Sequence, residues 1–274
     1  MRNVLIVIAL MVLASCNSSK EESKEKVKVQ LIRNATVKLN YAGKTFLVDP
    51  MLSEKNSFMS FVEQGKNLNP TVNLSTPISS IISNLDAVLL THAHPDHFDA
   101  KAMDVLNKDI KILAQSADKE ALLKTPFKNI EYIKDQLKFG SISITKIIGK
   151  HGPENLFSVL GESSGYILQA PNNPTIYIIG DCLLDAEIKN AITKYQPDII
   201  ITNSGGAMFM GANRILMDAQ ETIAVAKLAP KAKIIAVHME SLDHCIVKRN
   251  DLKEKAKKEN ISLLIPKDGE ELEI

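Results

Sequence analysis

The amino-acid sequence predicts an α/β fold, a sandwich of two mixed β-sheets packed face to face with helices on both outer sides (αββα). Short β-branched runs such as Ile142 to Ile148, Thr175 to Ile179 and Lys233 to Val237 are too brief for helices and too apolar for surface strands, so they read as buried strands. Segments of helical periodicity alternate with them, and that alternation lays helices against sheets. Several of these runs also stop at a His or an Asp, which places chemistry at strand ends.

Composition sets the outer limits. A chain of 274 residues, 45% apolar and 24% charged, has the size and balance of one large globular sandwich. With a net charge of +1 and no Trp it offers neither a basic surface nor stacking platforms, so no nucleic-acid partner is expected. The N-terminus stands apart from the fold. Arg2 precedes an apolar run from Val4 to Ala14, which suits a signal segment and falls short of the roughly 20 residues that span a bilayer. Leu13-Ala14-Ser15-Cys16 then resembles a bacterial lipobox, implying removal of residues 1–15, a lipid on Cys16 and attachment to a membrane of the bacterial cell envelope. Residues 16–26, rich in Ser, Glu and Lys, read as a flexible tether reaching roughly 20 Å, and residues 27–274 as the folded domain.

In chain order, Val27 to Ile32, Thr36 to Asn40 and Thr45 to Val48 form a meander that turns at Tyr41-Ala42-Gly43-Lys44. Met51 to Ser80 lacks periodicity and is read as a loop over the site, with a short helix from Pro77 to Ser83. Ala87 to Leu90 is a buried strand. Ala100 to Asn107 is a helix, Ile110 to Ala114 a strand, Ser116 to Leu123 a helix capped by Ser116, and Ile130 to Ile133 a strand. Phe139-Gly140-Ser141 turns into Ile142 to Ile148. Gly165 to Ala170 and Thr175 to Ile179 are joined by Pro171-Asn172-Asn173-Pro174, followed by a helix from Asp185 to Lys194 and a strand from Asp198 to Thr202. Asp218-Ala219-Gln220-Glu221 is a capping box opening a helix to Ala229. Lys233 to Val237, a helix from about Lys248 to Lys258, and a strand from Ile261 to Ile265 complete the chain.

The stretch Thr91-His92-Ala93-His94-Pro95-Asp96-His97 follows the strand Ala87 to Leu90 and puts three imidazoles and a carboxylate into one loop. Alternation along an extended backbone lets His92 and His94 grip one ion while Asp96 and His97 face a second. His151, Asp181 and His238 also lie at or just after strand ends, which converges the strand ends on one site. This ligand order, together with Leu31-Ile32-Arg33-Asn34-Ala35-Thr36, Leu47-Val48-Asp49-Pro50 and Val237-His238-Met239-Glu240, resembles the metallo-β-lactamase fold superfamily, in particular its L-ascorbate-6-phosphate lactonase-like metal-dependent hydrolases.

The resemblance implies a metal-dependent hydrolase. His92, His94 and His151 would hold one divalent ion, and Asp96, His97 and His238 a second, with Asp181 between them; zinc suits this thiolate-free set, and manganese or iron are also accepted. A hydroxide shared by the ions would attack an ester, lactone or phosphodiester in a small-molecule substrate, oriented by Asp96. Asp49 either supports the ligands or caps a turn. Cys182 in place of Asp181 at the metal would give a softer site. Arg214 and Asn34 are assigned to substrate binding, Arg214 as partner for a carboxylate or phosphate. His244, six residues beyond His238, is expected at the mouth as a catalytic or supporting group. Cys182 and Cys245 are read as reduced core thiols, with pairing as the alternative. Two other functions remain open at this point: a mononuclear-iron thiol-sulfur dioxygenase and a non-catalytic metal-binding lipoprotein.

Overall fold

The structure, a computed structural model, describes residues 26–211 and 213–274. The signal segment, Cys16 and most of the tether lie outside the described residues. Among the described residues no helix is long and apolar enough to cross a membrane.

One sheet has seven strands in the order Glu271–Glu273, Lys28–Arg33, Thr36–Tyr41, Lys44–Val48, Ala87–Leu89, Lys111–Gln115, Ile130–Ile133. Its first half is an antiparallel meander and its second half is parallel. The other sheet has six strands in the order Lys233–Val237, Ile199–Asn203, Ile176–Ile178, Ser163–Gln169, Ile142–Gly149, Gln136–Phe139, again mixed. Strand alternation decides which layer each side chain joins. Leu31, Val37, Phe46, Val48 and Leu89 meet Ile144, Tyr166, Ile178, Ile201 and Val237 between the sheets. Their neighbours Ile32, Leu47, Val88 and Ile112 point the other way, to Phe98, Ala102 and Leu122. Ile167, Tyr177 and Ile200 likewise cover Ile188 and Ile192 of the helix Ala186–Tyr195 and Val225 of the helix Ala219–Leu228. Each helix begins on an Asp that accepts from a backbone N–H in its first turn, Asp185 from Ile188 and Asp218 from Glu221.

The strand directions also position the site. Lys28–Arg33, Lys44–Val48 and Ala87–Leu89 in one sheet, and Ile142–Gly149, Ile176–Ile178, Ile199–Asn203 and Lys233–Val237 in the other, all point their C-terminal ends to one edge. The connections at that edge carry Asn34, Asp49, the His92–His97 loop, His151, Asp181 and His238.

Some local expectations change. Ser116 makes no side-chain cap; its segment is a 3₁₀ turn, Ser116–Asp118, leading into the short helix Lys119–Leu122. Ile261 to Ile265 does not form a full strand: among the described residues it contributes one bridge, Leu264 to Ile235. The seven-stranded sheet gains an edge strand that the sequence did not suggest, Glu271–Glu273 against Lys28–Gln30. The Met51 to Ser80 segment contains a small hairpin, Phe58–Met59 with Asn67–Asn69, and the helix Ile78–Ile81.

Candidate metal centre

After Leu89 the chain leaves the sheet and turns, with His97 N–H and Phe98 N–H both donating to the His94 carbonyl at 2.9 Å. That turn separates the two halves of the motif. His92 and His94 join His151 in one group, and Asp96 and His97 join Asp181 and His238 in the other; within each group the potential ligand atoms all lie within 4.8 Å of one another. In the first group His94 Nδ1 is 2.9 Å from His92 Nε2 and 3.3 Å from His151 Nε2. In the second, Asp181 Oδ2 is 3.3 Å from His97 Nε2 and 3.5 Å from His238 Nε2, and Asp96 Oδ2 is 3.4 Å from His238 Nε2. Asp181 Oδ2 is also 4.0 Å from His151 Nε2, so this carboxylate stands between the groups. Ligand atoms around one zinc at 2.0–2.1 Å sit about 3.3 Å apart, the spacing found here.

The ring nitrogens turned away from the cluster are occupied. His97 Nδ1 donates to Asp49 Oδ2 at 2.9 Å, and Asp49 in turn accepts from Thr91 N at 2.8 Å and Thr91 Oγ1 at 2.6 Å. His92 Nδ1 lies 3.2 Å from Thr91 Oγ1, His151 Nδ1 donates to the Ile215 carbonyl at 2.9 Å, and His238 Nδ1 contacts Cys245 Sγ at 3.6 Å. These contacts fix ring tautomers and leave the inward nitrogens for a cation. His97 Nε2 is fully buried facing the carboxylates of Asp181 at 3.3 Å and Asp96 at 3.5 Å, so a proton or a cation must lie between them.

Electrostatics points the same way. Burial alone would raise Asp181, yet His238 and His97 outweigh it and hold its carboxyl well below the usual range; burial would lower His97, yet Asp181, Asp96 and Asp49 hold it well above. Without an ion, protons on these imidazoles supply the positive charge the carboxylates require. In the other group burial, joined by neighbouring imidazoles and only partly opposed by Asp181, pushes His92 well down and His151 down to about 4. Those rings are neutral lone-pair donors. The residues present therefore fit one or more divalent cations.

The backbone is bent to make this possible. His238 has φ 63°, Asp49 φ 44° and Asn34 φ 58°, left-handed values uncommon for residues with a Cβ. Gly180 (φ +77°) precedes Asp181 because a Cβ there would meet the Ser164 carbonyl at 2.8 Å, and a Cβ on Gly205 would meet the His238 carbonyl at 2.1 Å.

Asp181, not Cys182, faces the cluster: Cys182 is buried in the helix-covered layer with Tyr177 and Ile188, and Cys182 and Cys245 are both free thiols. Two substrate assignments are corrected. Asn34 is fully buried behind the ligands, its side-chain Nδ2 donating to the Asp96 backbone carbonyl at 3.1 Å and its backbone carbonyl accepting from His238 N–H at 2.9 Å, so it ties two ligand segments together. Arg214 does not line the cavity over the cluster; Asp218 and Glu221, at the start of the helix Ala219–Leu228, draw its guanidinium into ion pairs. His244 does line that cavity, beside Asp96, Asp181, His94 and His151.

Sequence reasoning passed over Asn203, whose Nδ2 donates to Asp181 Oδ1 at 2.6 Å, and Thr91, which supports Asp49. Both are polar residues at the C-terminal end of a buried strand, the same signal that marked Asp181. The apolar wall of Phe61, Val159, Leu160, Phe209 and Ile215 was also unseen as a set, because four separate stretches of chain supply it.

Fold and cluster together define a metal-dependent hydrolase of the metallo-β-lactamase superfamily. The chain belongs to the family described as the beta-lactamase superfamily domain, which matches residues 28–248. It is 38% identical over 245 residues to the UPF0173 protein YddR of Bacillus subtilis (strain 168), an alignment spanning 87% of this chain and 96% of that one. Among solved structures, isothiocyanate hydrolase from Delia radicum gut bacteria is 36% identical with a TM-score of 0.83, covering 89% of this chain and 98% of the other. A possible metal-dependent hydrolase from Veillonella parvula DSM 2008 is 31% identical with a TM-score of 0.86, covering 91% and 100%.

Proposed function

We propose that the chain hydrolyses small, uncharged, largely apolar electrophiles, using two divalent ions held by the two residue groups, zinc first and manganese or iron as alternatives. The cavity lining carries this reading. Above the cluster and His244 its walls are Phe61, Pro95, Val159, Leu160, Phe209 and Ile215, with no Lys or Arg among the lining residues. Beyond the ions nothing in that wall pairs with an anion, so phosphodiesters suit it least, while esters and lactones remain good candidates. An isothiocyanate, the substrate class named for the relative from Delia radicum gut bacteria, is a neutral electrophile of the same kind: R–N=C=S and water give R–NH2 and COS.

When bound, the ions would lower the pKa of a water molecule and polarise the carbon under attack. Asp96 lines the cavity, where it would orient the attacking water and relay its proton towards solvent. Asn203 holds one oxygen of Asp181 and leaves the other for the cluster. The apolar wall keeps bulk water from the reacting groups. A zinc-loaded chain should therefore turn over allyl isothiocyanate, phenyl acetate or a γ-lactone with kcat/KM about 100-fold or more above that for bis(p-nitrophenyl) phosphate. Preference for the phosphodiester over every neutral substrate would refute the assignment.

The lipobox motif supports a second element of the proposal, attachment of the enzyme to a bacterial envelope membrane through lipid on Cys16. A multiply acylated Cys anchors stably where a single chain does not. Mass analysis of membrane-fraction protein should find residues 1–15 absent and Cys16 acylated, and Cys16→Ala should lose the modification. An unmodified Cys16 in the mature chain would exclude the anchor.

A further inference from the structure

A second void opens beside the cavity over the metal centre, between the hairpin Phe58–Met59 with Asn67–Asn69 and the hairpin Met208–Phe209 with Asn213–Arg214. The inner cavity measures ≈ 150 Å³ and the outer one ≈ 610 Å³. Phe61 and Phe209 line both, so the two spaces meet at these residues. The outer lining adds Val62, Met208, Met210 and Gly211 with the neutral polar Ser60 and Gln64, and among the described residues it carries no charged side chain. Val62 and Met210 are each 63% exposed, apolar side chains left facing water in a concave surface.

We propose that this outer groove is a subsite for the apolar tail of the substrate, an alkyl or arylalkyl chain whose electrophilic head passes between Phe61 and Phe209 to the metal centre. The proposal rests on the reading of the site as one for neutral electrophiles and adds where the rest of the molecule lies. Adjacency to the inner cavity selects this occupant: Phe61 and Phe209 border both spaces, so a tail directed away from the metal centre past them reaches the groove. The groove is also preformed. The Asp243 carboxylate accepts from Ser60 Oγ, from Phe61 N at 3.3 Å and from Asn69 Nδ2 at 3.0 Å, and Asp243 N–H donates back to Asn69 Oδ1 at 3.0 Å, so the wall that bears Phe61 and Val62 is clasped to the loop after His238. A preformed wall spares the ordering cost of binding.

A series of n-alkyl isothiocyanates from methyl to octyl tests the subsite, comparing the zinc-loaded enzyme with Val62→Glu/Met210→Glu. Both positions are exposed surface sites outside the metal centre, so the variant should fold, and Val62→Ser/Met210→Ser provides a milder companion. In the unaltered enzyme kcat/KM should climb roughly three- to fourfold per methylene until the groove is filled. In the Glu variant the slope should flatten while the methyl compound reacts as before, and the Ser variant should fall between. Hydrolysis of every member with no dependence on chain length overturns the proposal, as does a slope unchanged by both variants. If no isothiocyanate is turned over, that failure belongs to the proposed reaction, and calorimetric binding of n-octanol and n-butanol to the zinc-loaded chain then decides the subsite. Tighter binding of octanol that the Glu variant weakens by about tenfold or more supports it; octanol binding equal to butanol, or indifferent to the variant, overturns it.

Discussion

Replacing His97 by alanine should strip the second residue group of its ion and lower turnover by about 10³-fold or more, while the sandwich stays folded. His97 is fully buried, with its inward Nε2 facing Asp181 at 3.3 Å and Asp96 at 3.5 Å and its outward Nδ1 held by Asp49. Losing the ring removes one ligand of four, leaves two buried carboxylates facing each other across a void, and frees Asp49 from half of its purpose. Loss of an outer partner alone typically costs metal affinity about 10–100-fold, so loss of the ligand itself should exceed that. Stability should fall by about 2–4 kcal/mol for the cavity and the unpaired charge. Cooperative unfolding should survive, since the core between the sheets is built from other residues. Elemental analysis and a circular-dichroism melt check both halves. Full metal content in His97→Ala at saturating zinc, or a wild-type chain that saturates at one ion, would contradict the two-ion proposal.

Much of the fold was legible because its strands are buried on both faces. Ile176–Ile178 and Ile199–Asn203 sit between a core and a helical layer, and that requirement writes an unbroken apolar run into the sequence. Two of the edge strands escaped for the opposite reason. Gln136–Phe139 and Glu271–Glu273 are half in water and alternate polar with apolar groups, so little in them exceeds the background of a polar loop. Ile261 to Ile265 looked like a strand by composition, but only Leu264 pairs with the sheet, at Ile235.

At the site, the ligands could be read because a His or Asp after a buried strand has few other reasons to be there. Arg214 misled because a cation in a glycine-rich loop suggests an anionic ligand, whereas Asp218 and Glu221 on the next helix already satisfy it. Asn34 misled in a different way. Its motif was visible, but its left-handed backbone, which turns the amide inwards to Asp96, was not. Phe61 and Phe209 could not be paired from sequence at all, since they stand far apart in the chain and only the tertiary fold brings them to one cavity.

His244→Ala should retain its metal and lose turnover by about a hundredfold, the lower end for acid–base assistance. His244 belongs to neither ligand group, yet its ring lines the same cavity as Asp96 and Asp181. It is held edge-on against Phe61, with ring centroids 4.7 Å apart, and Phe61 is itself fixed by the hairpin that Asp243 clasps. Its Nδ1 is buried without a hydrogen bond; Asp243 Oδ1, 4.0 Å away, is already engaged by Phe61 N–H and Asn69. Burial lowers its pKa, with Asp96 only partly opposing, so near neutral pH the ring is an imidazole with one N–H to give. In the proposed reaction that N–H donates to the nitrogen or oxygen that gains negative charge as the bond from carbon breaks, and solvent restores the proton. The loss should therefore fall on kcat rather than KM, because the charge develops only in the transition state. His244→Gln, which keeps an N–H donor of similar reach, should recover part of the rate if hydrogen bonding suffices and none if the proton itself must transfer. Unchanged turnover in His244→Ala would remove the residue from the mechanism, and parallel loss of zinc would move it into the ligand shell.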